Sequence, residues 1–136
     1  DSLTTIPTGL FDKNTIVTDF AGTFGSCDSL TTIPTGLFRQ NTSVTSFFQT
    51  FNSCNSLQLN EFIFYSSGEQ SSRFAGKNLD FRQCFLRSEF IGIQGTAPDL
   101  WNCSFGSINS EVCFGGTGNT TSSITNYDVI PNEWKN

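Results

Sequence analysis

DSLTTIPTGLF occupies positions 1–11 and returns unchanged at positions 28–38. An eleven-residue identity at a separation of 27 marks a tandem repeat, and periods in this range belong to stacked arrays of like units. NSL at Asn55 continues the same step. The second half of each unit repeats by residue type. NTIVTDFAGTFGSC, at 14–27, places Val17, Phe20, Phe24 and Cys27 where NTSVTSFFQTFNSC, at 41–54, places Val44, Phe47, Phe51 and Cys54. That spacing follows a period near 3.6 and predicts one face of a short helix over Val44 to Asn52. Asn14 or Thr15, and Asn41 to Ser43, are its candidate N-caps. The adjacent rings of Phe47 and Phe48 leave an all-β unit as the alternative, because neighbouring strand residues point to opposite faces.

SLTTIP reads as a strand with Leu30 and Ile33 inward, ended by Pro34, which has no amide hydrogen to donate. Phe11 and Phe38 follow as further inward anchors. Phe81 and Phe85 keep the step of Phe20 and Phe24, Ser88 falls where Cys27 does, and TAPDLW sets Trp101 in the place of Phe38. SITNYDVIPNEW repeats the theme with Ile124, Ile130, Pro131 and Trp134. The expected unit starts are therefore residues 3, 30, 57, 91 and 124, with a C-terminal cap at about 124–136. The longer later gaps place loops near Tyr65 to Lys77 and Gly106 to Ser122, both rich in Gly, Ser and Asn. One strand-plus-helix unit cannot bury its apolar face alone, so the expected domain, 1–136, stacks about five coils with a parallel sheet on one face.

The SLTTIPTGLF and VTDFAGTFGSC alternation resembles the BspA-like leucine-rich-repeat surface proteins, in their variant with a V-T-x-(F/M)-x-x-x-F-x-x-C helix. The resemblance implies an α/β fold, a right-handed leucine-rich-repeat solenoid. It also implies adhesion to host matrix, other cells or surfaces through the scaffold itself, with no catalytic residue to carry over. The third unit, LNEFIFYSSGEQSSRFAGKN, departs from the pattern, lacking the isoleucine–proline step.

Composition bounds the function. The 136 residues carry a net charge of −5 and only 14% charged side chains. An acidic chain offers no electrostatic footprint for a phosphate backbone, so nucleic acid is not the expected partner. No apolar run approaches the roughly 20 residues of a membrane span. Fifteen phenylalanines compensate for a hydrophobic fraction of 36%, since each buried ring removes a large apolar area from water. The sequence contains no histidine, so the usual triads and general base are absent. Asp12, Asp19, Asp80, Asp99 and Asp128 are not paired by any motif of the kind glycosidases use. No cofactor is implied, and the cysteines lack zinc-site spacing.

The candidate ligand-facing residues are the strand threonines Thr4, Thr5, Thr31 and Thr32 and the basic cluster Arg73, Lys77, Arg82 and Arg87. The cluster reads alternatively as a solvated face interleaved with Glu69, Asp80 and Glu89. The number of cysteines is odd, five. Cys103 and Cys113 enclose a Gly/Ser-rich segment and are the candidate disulfide. Cys27 and Cys54 read as buried thiols. Asn41, Asn102 and Asn119 stand in N-x-Ser/Thr contexts. The expected function is a secreted or cell-surface binding module, with a protein or glycan ligand on another cell or matrix. The alternative is a structural subunit of a surface layer, filament or viral appendage. A chain opening at Asp1 on a unit boundary is expected to be a fragment continuing upstream, with self-association possible at an open N-terminal end through Leu3 and Ile6.

Overall fold

The computed structural model describes residues 2–87, 89 and 91–136. The expected architecture, an α/β solenoid of five strand-plus-helix coils, is not what the chain adopts. Among the described residues the α-helix is confined to α1 (Gln70–Arg73), inside a stretch expected to be a loop. The strands are β1 (Gln58–Leu59), β2 (Asn78–Asp80), β3 (Gln94–Gly95) and β4 (Ser107–Asn109). They form two separate parallel pairs, β1 with β3 and β2 with β4. Single bridges extend each pair: Thr32 to Gln58 and Gly95 to Ile124 beside the first, Asp19 to Ser46 and Ser46 to Asp80 beside the second. SLTTIP thus contributes a bridge and not a full strand.

Residues 44–52, predicted to be helical, hold the Ser46 bridge and then a run of turns over 48–53. The reason lies in where the amides go. Phe20, Gly22, Phe24 and Ser26 donate to the carbonyls of Ser46, Phe48, Thr50 and Asn52 at 2.8–3.0 Å. The amides between them, on Thr23, Gly25 and Cys27, donate three residues back to Phe20, Gly22 and Phe24. The next turn repeats this, with Phe47, Gln49, Phe51 and Ser53 donating to Asp80, Arg82, Cys84 and Leu86. Phe81, Gln83, Phe85 and Arg87 then donate to Asn109, Glu111, Cys113 and Gly115. An α-helix would spend every interior amide on itself. Every buried backbone group needs a partner, and here half of the donors satisfy the neighbouring turn.

The geometry requires a left-handed residue about every fourth position. Gly22 and Ser26 have φ of 65° and 57°, Gln49 and Ser53 have 55° and 59°, and Gln83 and Val112 have 55° and 52°. No right-handed helix accommodates such residues. Each run opens on a side chain that accepts the amide two residues on: Asp19 from Ala21 at 2.7 Å, Asp80 from Arg82 at 3.0 Å and Asn109 from Glu111 at 3.3 Å. Ser46 plays this part for Phe48 at 3.4 Å. These are Asx and Ser/Thr turns, which compete with helix for the backbone.

Stacking the turns stacks the rings. Phe24, Phe51, Phe85 and Phe114 form a column with centroid separations of 5.3, 5.6 and 5.2 Å and planes within 11°. Phe20, Phe47 and Phe81 form a second, at 6.1 and 5.0 Å. Phe11, Phe38 and Phe64 form a third, at 5.8 and 5.6 Å. Leu30 and Leu57 are fully buried, whereas Leu3 is 38% exposed. All these columns belong to one continuous core.

Several expected positions shift. Ile91 is 66% exposed and Ile93 fully buried, because β1 and β3 align Gln58 with Gln94. The fourth unit start therefore moves from Ile91 to Ile93. Gly95 has a φ of 89°, and a Cβ there would lie 2.4 Å from the Leu59 carbonyl oxygen; only glycine lets the two strands approach. The expected loops are built-in structure. Tyr65 and Phe74 are buried in the first, and the second contains β4 and the buried pair Cys113–Phe114. The expectation for Ser88 lies outside the described residues. At the C-terminal end Trp134 is buried, and the carbonyls of Trp134 and Asn136 accept the amides of Phe114 and Val112 at 2.8 and 3.2 Å.

Helix and stacked turn make opposite predictions for Gly22→Ala. In a helix interior alanine would stabilise by about 0.5–1 kcal/mol. At a left-handed position it is expected to destabilise by about 1–2 kcal/mol, read as a lower midpoint in urea unfolding. Phe47→Ala removes a ring from the middle of its column and is expected to cost about 3–5 kcal/mol in the same measurement.

Candidate binding face and grooves

The first ladder carries an uncharged polar surface. Thr4, Thr5, Thr31 and Thr32 are all exposed, followed at the next rungs by Gln58, Gln94 and Thr125. The hydroxyls partly serve the ladder: Thr31 donates to the Thr4 carbonyl at 3.4 Å and Thr125 to that of Gly95 at 3.1 Å. The ladder spaces these side chains about 4.8 Å apart on a rigid backbone.

Two grooves lie beside the turns that follow this ladder. One, of about 440 Å³, is lined by Thr8, Asp12, Thr35, Arg39, Tyr65 and Ser66, among others. Arg39 and Glu69 pair across its edge at 2.5 Å. That hydrogen bond, with the Ser66 amide, brings the Glu69 carboxyl down to about 2. The second groove, of about 410 Å³, is lined by Glu61, Gln70, Asp99, Trp101, Asn102 and Asn126, among others. Phe62 and Ser67 border both.

Asp99 organises the second groove. Its Oδ1 accepts the Tyr65 hydroxyl and, at 3.4 Å, Gln70 Nε2, while its Oδ2 accepts Asn102 Nδ2 at 3.2 Å. Burial and the Asp99 contact push the Tyr65 hydroxyl far above its ordinary range. Asn126 grips the backbone of Ala97 from both ends of its amide, at 2.9 and 3.0 Å. Trp101 packs edge-to-face on Phe114 at 6.1 Å.

The basic cluster does not form a patch. Arg73 is buried: its Nε donates to the Phe64 carbonyl at 2.8 Å, and its Nη2 to those of Phe38 and Asn41 at 2.8 and 3.1 Å. Its guanidinium lies 4.4 Å from the Phe74 ring centroid, and burial lowers its pKa to about 10, which keeps it charged. Arg87 is also buried, donating to the Ile91 carbonyl at 2.8 Å and pairing with Glu89 at 3.1 Å. Lys77 donates to the Thr42 carbonyl. Arg82 pairs with Asp80 at 2.7 Å and lies over the Phe48 ring. Neighbours in sequence, these cations hold separate carbonyls and carboxylates.

All five cysteines are free, so Cys103 and Cys113 are not a disulfide. Cys113 sits fully buried in the turn stack, its carbonyl accepting the Phe85 amide at 2.8 Å. Burial pushes the thiols of Cys54 and Cys103 up to about 12, which leaves them protonated and unreactive. Cys54 donates its thiol to the Phe24 carbonyl at 3.0 Å. Asn41 and Asn119 are buried structural donors, Asn41 to Phe11 and Asn14 and Asn119 to Phe85, Phe114 and Gly115. Asn102 alone of the three N-x-Ser/Thr asparagines is exposed. Three of the five candidate aspartates are spent on structure: Asp19 on its own turn, Asp80 on Arg82, Asp99 on its network.

Sequence reasoning missed the second groove, because Asp99 and Tyr65 are 34 residues apart and no motif joins them. Among the described residues no cluster of three or more His, Cys, Asp or Glu is placed to hold a metal ion. No helix among them is long and apolar enough to cross a membrane. No family model, curated protein or solved structure matches the chain.

Arg73→Lys tests the buried guanidinium. Lysine keeps the charge but cannot fork to three carbonyls. With charged hydrogen bonds contributing about 1.5–3 kcal/mol each, the variant is expected to lose on the order of 3 kcal/mol in urea unfolding.

Proposed function

We propose that this chain is a non-catalytic binding module of a secreted or cell-surface protein, adhering to a macromolecule on another cell or matrix. The observation that carries this reading is the pairing of a rigid, uncharged polar ladder face with two open grooves beside the turns that follow it. The Thr and Gln side chains of the face sit on hydrogen-bonded rungs, so little ordering remains to be done when a ligand arrives. The grooves are of the size at which small ligands or single residues of a polymer are held. Asp99, the carboxylate at the centre of the second groove, is tied to Tyr65, Gln70 and Asn102.

A second reading, a subunit of a surface layer, filament or viral appendage, is favoured by Leu3, Leu10 and Ile16, which are 38%, 44% and 86% exposed. Ile6, expected to join Leu3 in self-association, is buried at 7% exposure and does not present a contact. Exposed apolar side chains are candidates for association surfaces when they form a contiguous patch.

The two readings part in one experiment. The chain is passed over immobilised collagen, fibronectin and a mixed glycan array, with its mass followed by light scattering. The binding reading expects a monomer that retains at least one probe and loses it at least tenfold on Thr32→Arg with Gln94→Arg or on Gln70→Ala. Retention of no probe, together with an oligomer that Ile16→Lys dissociates, would replace it with the structural reading.

A further inference from the structure

We propose that the groove framed by Gln70, Asp99, Trp101 and Asn102 binds a neutral carbohydrate chain, an inference that rests on the binding-module reading and gives it a ligand class. A sugar ring presents two kinds of surface: an apolar face of C–H groups, and a rim of hydroxyls that each donate and accept. A site for it needs an aromatic or aliphatic wall and planar polar groups set around it. This groove supplies both. Its apolar lining is Phe62, Ala97, Trp101 and Val129, with Val129 64% exposed. Trp101 is held edge-to-face on Phe114, and tryptophan joins a large apolar ring to one polar handle.

The polar groups are oriented before any ligand arrives. Asp99 holds the amide nitrogens of both Gln70 and Asn102. The amide oxygens of those two side chains take no hydrogen bond among the described residues, nor does the Trp101 indole N–H give one. Two acceptors and a donor are thus left unspent on residues that line the groove, and each amide can also share its second N–H. Asn126 spends both ends of its amide on Ala97 and shapes the wall.

Charge selects the kind of sugar. The lining includes Glu61 and Asp99 and no lysine or arginine. Uronic, sialic or sulfated sugars would bring anions to a site with no cation, at a repulsive cost. The volume, about 410 Å³, is enough for one or two sugar rings with the rest of the chain in solvent. The other groove differs in having Arg39, already tied to Glu69.

The test uses the full chain and an array of neutral and acidic oligosaccharides, followed by titration of intrinsic tryptophan fluorescence with the neutral oligosaccharide retained best. Trp101 is partly exposed and Trp134 buried, so the response reports on Trp101. The expected result is a saturable shift with a neutral oligosaccharide in the unsubstituted chain; calorimetric titration, which needs no tryptophan reporter, is expected to show the affinity weakened about tenfold by Gln70→Ala and at least tenfold by Trp101→Phe. The phenylalanine keeps a ring against Phe114, and an unchanged melting curve shows that the fold survives. Retention of acidic sugars only, of no neutral sugar, or of a neutral sugar with the same affinity in both variants would overturn the proposal. Binding to collagen or fibronectin that Thr32→Arg abolishes and Gln70→Ala spares would overturn it too, while leaving the wider binding reading in place.

Discussion

Along each stacked turn, alternate amides serve the turn itself and the turn beside it, and the rest of the molecule depends on that division. A helix is self-sufficient in hydrogen bonds and packs by side chains alone. Here a single turn is half-satisfied and needs its neighbour for the other half. The spacing is then set by main-chain bonds near 2.9 Å, as between Phe24 and Thr50, and the phenylalanine columns inherit it. Rings stacked at 5.2–5.6 Å with planes nearly parallel fill the space that this backbone separation leaves. Backbone and rings agree on one distance, which is how so few regular elements support a core running the length of the chain.

The 27-residue period, the inward phenylalanines and the burial of Leu30, Leu57 and Cys54 could be read directly from the residues. The helix could not. A four-residue step between Phe20 and Phe24 lies too close to 3.6 to be told from a helical face, and side-chain periodicity is blind to the sign of φ. The signal that decides it is the residue opening each run. Asp19, Ser46, Asp80 and Asn109 are all turn-formers that capture the amide two positions on. The second signal is the recurrence of Thr23–Phe24, Thr50–Phe51, Cys84–Phe85 and Cys113–Phe114. That series carries the turn stack straight through the segment whose glycines and serines suggested a loop.

The basic residues show a different limit. Nearness in sequence says little about which carbonyls an irregular insertion leaves open. The stretch around α1 leaves those of Phe38, Asn41 and Phe64 facing inward, and Arg73 is the side chain long and forked enough to meet them. Asn119 does the same for Phe85, Phe114 and Gly115. Both are buried polar groups whose donors are aimed at main chain, the use that best offsets the cost of their desolvation. The groove around Asp99 was illegible for a related reason: its parts come from segments that only the stacking brings together.

The direction of the bonds between turns has a further consequence. From Phe20 to Ser26, and again from Phe47 to Ser53, the donor always belongs to the earlier turn and the acceptor to the later one. The peptide dipoles of this side of the molecule therefore add, as they do along a helix, with the negative pole at the earliest turn. There the carbonyls of Asp19, Ala21 and Thr23 accept no backbone hydrogen bond from another described turn. The stack is an oriented electret: a main chain docking on that face must arrive with its amides forward, and two such faces brought together meet carbonyl to carbonyl and repel.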